Sequence, residues 1–80
     1  MSTSAVRLEP RAVEVACGVD TLHVRLADGR EVAVALAWFP LLYQASPDAR
    51  ANYRLIGGGV GIHWPEVDED ISVEGLLATD

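Results

Sequence analysis

Apolar residues occupy every second position in three consecutive stretches of the first half of the chain. This spacing is the period of a β-strand with one buried face. Turn-forming residues separate the stretches at 18–20 and 27–29. The pattern therefore predicts a three-stranded antiparallel meander, whose expected inward-facing residues are Val13, Val15, Cys17, Leu22, Val24, Leu26, Val32, Val34 and Leu36.

The loop between the second and third stretches decides how these two strands pair. A two-residue loop would put their apolar residues on opposite faces of the sheet, which one core cannot satisfy. A three-residue loop, Ala27–Gly29, with Gly29 in the left-handed conformation, puts them on the same face. This register also sets Arg25 opposite Glu31 on the outer face, where opposite charges are favourable.

Helix signals follow the meander. A proline at the start and apolar residues at helical spacing predict a short helix over residues 40–45. Ser46 then provides an N-cap in front of Pro47, so a second helix is expected to end near Arg54. Ser72 is the same kind of signal for a last helix, which we expect from residue 73 to residue 78.

Glycines dominate the stretch from Gly57 to Gly61. A phosphate-binding loop would need a helix directly after the glycines, but Ile62–Trp64 has strand character. We therefore expect a bulged or sharply turned strand here. The chain is expected to fold as one α+β domain over residues 12–80, after a flexible N-terminal tail of residues 1–11. Its predicted elements are the three-stranded antiparallel meander, a fourth glycine-rich strand segment and two or three short helices.

The length of 80 residues suits a single domain. A domain of this size buries only about 60% of its extended-chain surface, so a second copy or a partner would add stability. We therefore expect a homodimer or a complex with another protein. The sequence has no apolar run near the roughly 20 residues of a membrane helix, and the N-terminus lacks the apolar core of a signal peptide. These features favour a cytoplasmic protein.

The formal net charge of −6 is unevenly distributed along the chain. All six arginines lie at or before Arg54, together with six acidic residues, and six further acidic residues follow without any base. A negative field of this kind repels nucleic-acid phosphates and anionic lipids, and attracts a basic protein surface. Direct binding to nucleic acid or to a membrane is therefore not expected.

Catalytic and metal-binding patterns are weak in this sequence. Cys17 is the single cysteine, so it forms neither an intrachain disulfide nor a cysteine metal cage, and the role of a small buried apolar residue is the ordinary expectation. His63 with Asp68 and Asp70 has ligand chemistry for a divalent metal, but the spacing matches neither the calcium loop nor the helical zinc motif. We expect no enzyme activity and no cofactor.

Tryptophan beside acidic residues is the strongest sign of an interaction surface. Packing in the core is one expectation for the aromatic residues. A core this small, however, does not easily enclose both Trp38 and Trp64, and tryptophan is enriched where proteins bind one another. Trp64 and Pro65 are followed directly by an acidic loop, Glu66–Asp70. The candidate partner-binding residues are therefore Trp64, Pro65, Glu66, Asp68, Glu69 and Asp70.

Several motifs together resemble one bacterial family. They are the run DGREVAVALAWFPLL and the later run SPDARANYRLIGGGVGIHWPEVDEDISVEGLL. The chain resembles the domain of unknown function (DUF) 2442 family over residues 13–77. The resemblance implies a small α+β domain and no known catalytic residue. Members often lie beside genes for small toxin-like proteins, which suggests an antitoxin-like role. Some members have an additional C-terminal helix-turn-helix. The resemblance does not lead us to expect DNA binding through such a module in this chain.

Three functional hypotheses follow. The leading one is a non-enzymatic module that binds and neutralises a basic partner protein, such as a small toxin or nuclease, through its acidic C-terminal surface. The second is a ligand- or metal-binding domain, regulatory or enzymatic, centred on His63 and the glycine stretch. The third is a phage or mobile-element nuclease inhibitor whose acidic surface mimics the charge of nucleic acid.

Overall fold

The computed structural model describes residues 10–78 and has an α+β fold, as predicted. Within these residues, two three-stranded antiparallel sheets, with strand orders β1-β2-β3 and β4-β5-β6, pack with three short α-helices. The predicted tail lies mostly outside the described residues, because only Pro10 and Arg11 of it are included. The strands are β1 (Ala12–Cys17), β2 (Thr21–Leu26), β3 (Glu31–Ala35), β4 (Arg54–Ile56), β5 (Gly61–Trp64) and β6 (Glu69–Ser72), and the helices are α1 (Pro40–Tyr43), α2 (Pro47–Ala51) and α3 (Val73–Leu77).

The first sheet, β1-β2-β3, is the predicted meander. Its β2–β3 register is confirmed, since Arg25 lies opposite Glu31 and the backbone N–H of Leu26 donates to the carbonyl of Arg30 at 2.8 Å. Gly29 has a φ of 96°, as the three-residue loop requires. The arginine, however, forms its ion pair with Glu14 of β1 at 2.7 Å and not with the residue opposite it on β3.

Strand β1 differs from the prediction at its start. The register against β2 shifts between Ala12 and Glu14, which leaves Val13 as the extra residue of a β-bulge. As a result Ala12 is buried, and Val13 is 44% exposed instead of facing the core. The backbone N–H of Ala12 donates to the carbonyl of Gly59 at 2.7 Å, so the bulge joins the first sheet to the glycine stretch.

Helices begin where the sequence signals predicted. The Ser46 hydroxyl accepts a hydrogen bond from the Ala49 backbone N–H at 3.1 Å, which caps α2 behind Pro47. The Ser72 hydroxyl caps α3 in the same way by accepting from Gly75 at 3.2 Å. Helix α2 is shorter than predicted, because it ends at Ala51 and the chain then enters strand β4. A turn of 3-10 helix, Leu36–Trp38, precedes α1.

The second sheet, β4-β5-β6, is larger than the single glycine-rich strand that the sequence predicted. The glycine stretch is the sharp turn between β4 and β5, and Gly57, Gly58 and Gly59 all have positive φ. Strand β6 follows β5 through a turn at residues 65–68 and lies on the other side of it. The predicted strand segment is therefore the centre of a sheet and not an isolated strand.

A continuous hydrophobic core joins the two sheets and the helices within residues 10–78. No helix in this part of the chain is long and apolar enough to cross a membrane. The fully buried centre of the core contains Leu22, Val24 and Leu26 of the first sheet, Ile62 and Trp64 of the second, and Leu36, Leu42 and Val73 around them.

The contact between the two sheets at Gly59 gives a first prediction. Gly59 has a φ of 111°, and a Cβ added there would collide with the backbone oxygen of Ala12 and lie 3.0 Å from its nitrogen. We expect Gly59→Ala to lower the free energy of unfolding by about 2 kcal/mol or more, measured by urea denaturation. Gly61→Ala is the matched control, since its Cβ meets only ordinary contacts at 3.7 Å. Equal stability of the two variants would contradict the assigned contact.

Candidate functional site

The predicted acidic loop is the tip of a hairpin formed by β5 and β6, which we call the acidic hairpin (residues 61–72). Trp64 pairs with Glu69, and the turn between them spans residues 65–68. Asp68 has a φ of 54°, a left-handed conformation that aspartate tolerates better than most residues. The loop is shorter than predicted, because Glu69 and Asp70 belong to strand β6.

The acidic side chains surround the hairpin tip and do not form a single flat face. Successive residues of a strand point to opposite faces, so Glu69 shares the side of Ile71 and is half-buried, while Asp70 lies on the other face. Asp70 Oδ1 is hydrogen-bonded to His63 Nδ1 across the β5–β6 pair. Glu66 is held at the tip because its Oε2 accepts a hydrogen bond from Asn52 Nδ2 at 2.8 Å.

Arginines of the first sheet and its connections are engaged within the chain. Arg25 pairs with Glu14 at 2.7 Å, and Arg30 pairs with Asp28 at 2.8 Å. The backbone N–H of Arg30, followed by its side chain, holds the pKa of Asp28 below its ordinary value. Glu14 and Asp28 are therefore compensated by neighbouring arginines.

The acids of the hairpin and of α3 lack this compensation. Within residues 10–78, no arginine lies within ion-pair distance of Glu66, Asp68, Glu69, Asp70 or Glu74. Asp70 is the single member of this group that has a titratable partner, the imidazole of His63. The negative charge of these five carboxylates is therefore not neutralised by an arginine ion pair within the described part of the chain.

Trp64 does not form part of the surface, which corrects the prediction made for it. Its side chain is 0% exposed and packs in the core, and its indole Nε1 donates to the carbonyl of Arg50 at 2.9 Å. The Tyr53 ring contacts it with centroids 6.5 Å apart. A core of this size does enclose one tryptophan, and the other, Trp38, is 54% exposed. Pro65 is exposed, as expected for a residue at the hairpin tip.

His63 lies in the outer face of the second sheet. Its cross-strand neighbours are Arg54 on β4 and Asp70 on β6. No group of three or more His, Cys, Asp or Glu side chains among residues 10–78 is arranged to hold a metal ion. The glycine turn leads into strand β5, as predicted, so its N–H groups have no helix behind them to reinforce binding of a phosphate.

Cys17 is half-buried at the end of β1. Its Sγ lies 3.9 Å from the carbonyl oxygen of Arg50. Burial raises the pKa of the Cys17 thiol above its ordinary value of 9.0, although the nearby Arg50 guanidinium acts in the opposite direction. A thiol that stays protonated is a poor nucleophile, so this cysteine has the chemistry of a packing residue.

Sequence reasoning missed β4, and with it the outer face of the second sheet. The sequence signals predict that the second helix ends near Arg54, and they predict no strand at Arg54–Ile56. The available signal was Leu55–Ile56 directly before three glycines, since a short apolar pair followed by residues that favour positive φ is typical of a hairpin. Without β4, neither the cross-strand neighbours of His63 nor those of Gly61 could be predicted.

These observations define a small α+β domain with two antiparallel sheets and an acidic hairpin. The chain belongs to the family described as protein of unknown function (DUF2442), whose family model matches residues 12–80. It is similar to the crystal structure of a protein of unknown function from Rhodospirillum rubrum, with 32% sequence identity and a TM-score of 0.75 over 89% of this chain and 88% of that chain. No curated protein matches the chain. The resemblance seen in the sequence is thereby confirmed.

The different positions of the two tryptophans can be measured directly. We expect Trp38→Phe to change the free energy of unfolding by less than about 0.5 kcal/mol, because the side chain is at the surface. Trp64→Phe should cost about 2 kcal/mol, through a cavity and an unpaired carbonyl. Acrylamide should quench the tryptophan fluorescence of Trp38→Phe, which retains the buried Trp64, less than that of Trp64→Phe, which retains the exposed Trp38. The reverse order would contradict the fold.

The state of Cys17 can be tested by alkylation with iodoacetamide as a function of pH. Because burial raises the pKa of the thiol, the folded protein should reach half its maximal rate above pH 9.0, and the urea-unfolded chain should do so near that value. Cys17→Ser, which should not react, is the control for labelling elsewhere. A midpoint below the ordinary value in the folded protein would show an activated thiol.

Proposed function

We propose that this chain is a non-enzymatic protein-interaction module that acts in the cytoplasm and binds and neutralises a basic partner protein. The proposed contact surface is the tip of the acidic hairpin, with Pro65, Glu66, Asp68, Glu69 and Asp70. One observation carries the proposal: the acids of this hairpin have no arginine partner within residues 10–78, whereas Glu14 and Asp28 in the first sheet and its loop each have one. Trp64 supports this surface from the core and does not contact the partner.

Uncompensated carboxylates at an exposed tip suit binding to a cationic surface. Such charges accelerate encounter with a partner of opposite sign and exclude partners of the same sign. The hairpin is also well held, because Glu66 is bonded to Asn52 and the adjacent Trp64 is bonded to Arg50. A fixed surface loses little conformational entropy on binding.

The proposed mechanism is occlusion. A protein that binds or cleaves nucleic acid does so with a basic surface, because phosphate contacts supply most of its affinity. Carboxylates that occupy this surface compete with phosphates for the same cations. The role is therefore antitoxin-like or inhibitory, and the partner is a small basic protein such as a toxin or a nuclease.

The first step of the test is identification of the partner. The tagged protein would be used to capture proteins from a lysate of its own host at low and high salt, followed by mass spectrometry. The affinity for the captured protein is then measured by calorimetry for the wild type and for the triple variant Asp68→Asn, Glu69→Gln and Asp70→Asn. Each exposed charge pair contributes up to about 1 kcal/mol, so we expect binding to weaken by about tenfold to hundredfold.

The matched control removes three charges elsewhere. Asp20→Asn, Glu31→Gln and Asp48→Asn change the net charge by the same amount but lie outside the acidic hairpin. We expect the affinity of this variant for the partner to lie within about twofold of that of the wild type. Its affinity should also still decrease at high salt, because the exposed charge pairs of the hairpin remain. Equal affinity of both triple variants and the wild type would refute the proposed function.

A further inference from the structure

A groove of about 530 Å³ lies on the outer face of the second sheet. Gly61, in the middle strand β5, forms its floor, because Ile56 of β4 and Ser72 of β6 pair with it in one cross-strand row. The neighbouring row, through Ile62 and Ile71, points to the opposite side and is buried in the core. The groove therefore opens to solvent between the side chains of the two outer strands.

The groove exists because residue 61 has no side chain, although neither backbone nor packing requires glycine there. Unlike the three glycines of the preceding turn, Gly61 does not have a positive φ. A Cβ built at this position would lie 3.7 Å from Ile56 Cβ and 3.7 Å from the carbonyl oxygen of Ile71, which are ordinary contacts. A larger residue would therefore fit the strand and fill the groove.

The charge of the groove is asymmetric. Among residues 10–78, its lining contains no basic residue, and the carboxylates of Asp70 and Glu74 border it on the side of β6 and α3. Asp70 uses one oxygen for His63, which leaves the other for a further donor. Two cations lie close by but outside the lining: Arg54 is in the next row of β4, and Arg11 donates to the Gly57 carbonyl at 3.1 Å.

We propose that the groove binds a lysine side chain from an extended segment of the basic partner, an inference that rests on the proposed function. The aliphatic part of the lysine lies over Gly61, between Ile56 and Pro10. Its ammonium group lies between the carboxylates of Asp70 and Glu74. The volume is within the range of about 300–1,000 Å³ that is typical of small-ligand sites, so flanking peptide backbone is accommodated as well.

The chemistry of the groove favours lysine over arginine. An arginine guanidinium is planar and is bound best by a carboxylate that offers both oxygens. Asp70 Oδ1 is already engaged by His63, which makes a bidentate contact with this carboxylate less favourable. A lysine ammonium is a compact charge with three donors, which two separate carboxylates can share, and its unbranched stem matches the apolar wall formed by Ile56.

The test uses a defined peptide and the full chain. The capped tripeptide Ala-Lys-Ala is titrated into the ¹⁵N-labelled protein, and the backbone amide shifts of Gly61, Ser72 and Glu74 are followed. We expect saturable shifts at these positions. Peptides with arginine or norleucine in place of lysine should bind about fivefold to tenfold more weakly. Equal binding of the norleucine peptide, or tighter binding of the arginine peptide, would overturn the proposal.

Gly61→Val fills the groove and is the decisive variant. Valine suits a strand position, so the variant should fold, which its thermal melt checks. Lysine-peptide binding should weaken at least about tenfold. Ala33→Val, which adds similar bulk to the exposed face of β3, should bind as the wild type does. Unchanged binding by Gly61→Val, or shifts confined to residues 66–69, would overturn the groove as the site. Shifts that depend on protein concentration without peptide would indicate a second copy there and also contradict the proposal.

The captured partner separates this inference from the proposed function. If Gly61→Val leaves partner affinity unchanged while the triple variant of the hairpin weakens it, the groove proposal fails and the acidic surface stands. If neither variant affects affinity, the proposed function fails. Both proposals are supported when each variant weakens partner binding and Gly61→Val abolishes the lysine-peptide shifts.

Discussion

The fold depends on the hydrogen bond between the buried indole of Trp64 and the carbonyl of Arg50. A buried N–H must find an acceptor, and α2 supplies it at 2.9 Å. The guanidinium of the same arginine donates to the carbonyls of Tyr43 at 2.6 Å, Leu42 at 3.2 Å and Gly18 at 3.3 Å. It thereby satisfies the end of α1 and fixes the β1–β2 turn. One residue thus connects the second sheet, both central helices and the first sheet.

This arrangement also sets the position of the acidic hairpin. Trp64 is the last residue of β5, so the bond that anchors it fixes the point at which the turn begins. Tyr53 packs on the indole and its hydroxyl accepts from the Val15 backbone N–H at 3.3 Å, which ties the turn end of the hairpin to β1. Asn52 holds Glu66 within the turn, and Val67 of the same turn packs against the core. The acidic tip is therefore presented by a supported hairpin.

The sequence pattern predicted those parts of the fold that depend on interactions between residues close together in the chain. The β2–β3 register followed from the parity of apolar residues and from Gly29, and both act within a single hairpin. The bulge at Val13 could not be predicted in this way, because it arises where Ala12 meets Gly59 from a distant part of the chain. Strand β4 was missed because three residues are too few to show a period. Ile62 and Trp64 are two residues apart in one strand, so they share a face, and this spacing indicates that Trp64 is buried beside Ile62. The expectation that a small core does not enclose both tryptophans favours an exposed Trp64, and it is wrong for this residue.

The sequence predicts the negative charge of the candidate site but not the directions in which its side chains point. The sequence shows where acids are concentrated, but pairing of β6 with β5 decides that Glu69 and Asp70 point to opposite sides. Carboxylates that lie close together without cations repel one another and reduce the stability of the compact state. A bound cationic group relieves this repulsion, so it binds the folded chain more strongly than the unfolded chain. The proposed complex with a basic partner would therefore gain affinity from carboxylates that repel one another in the isolated domain.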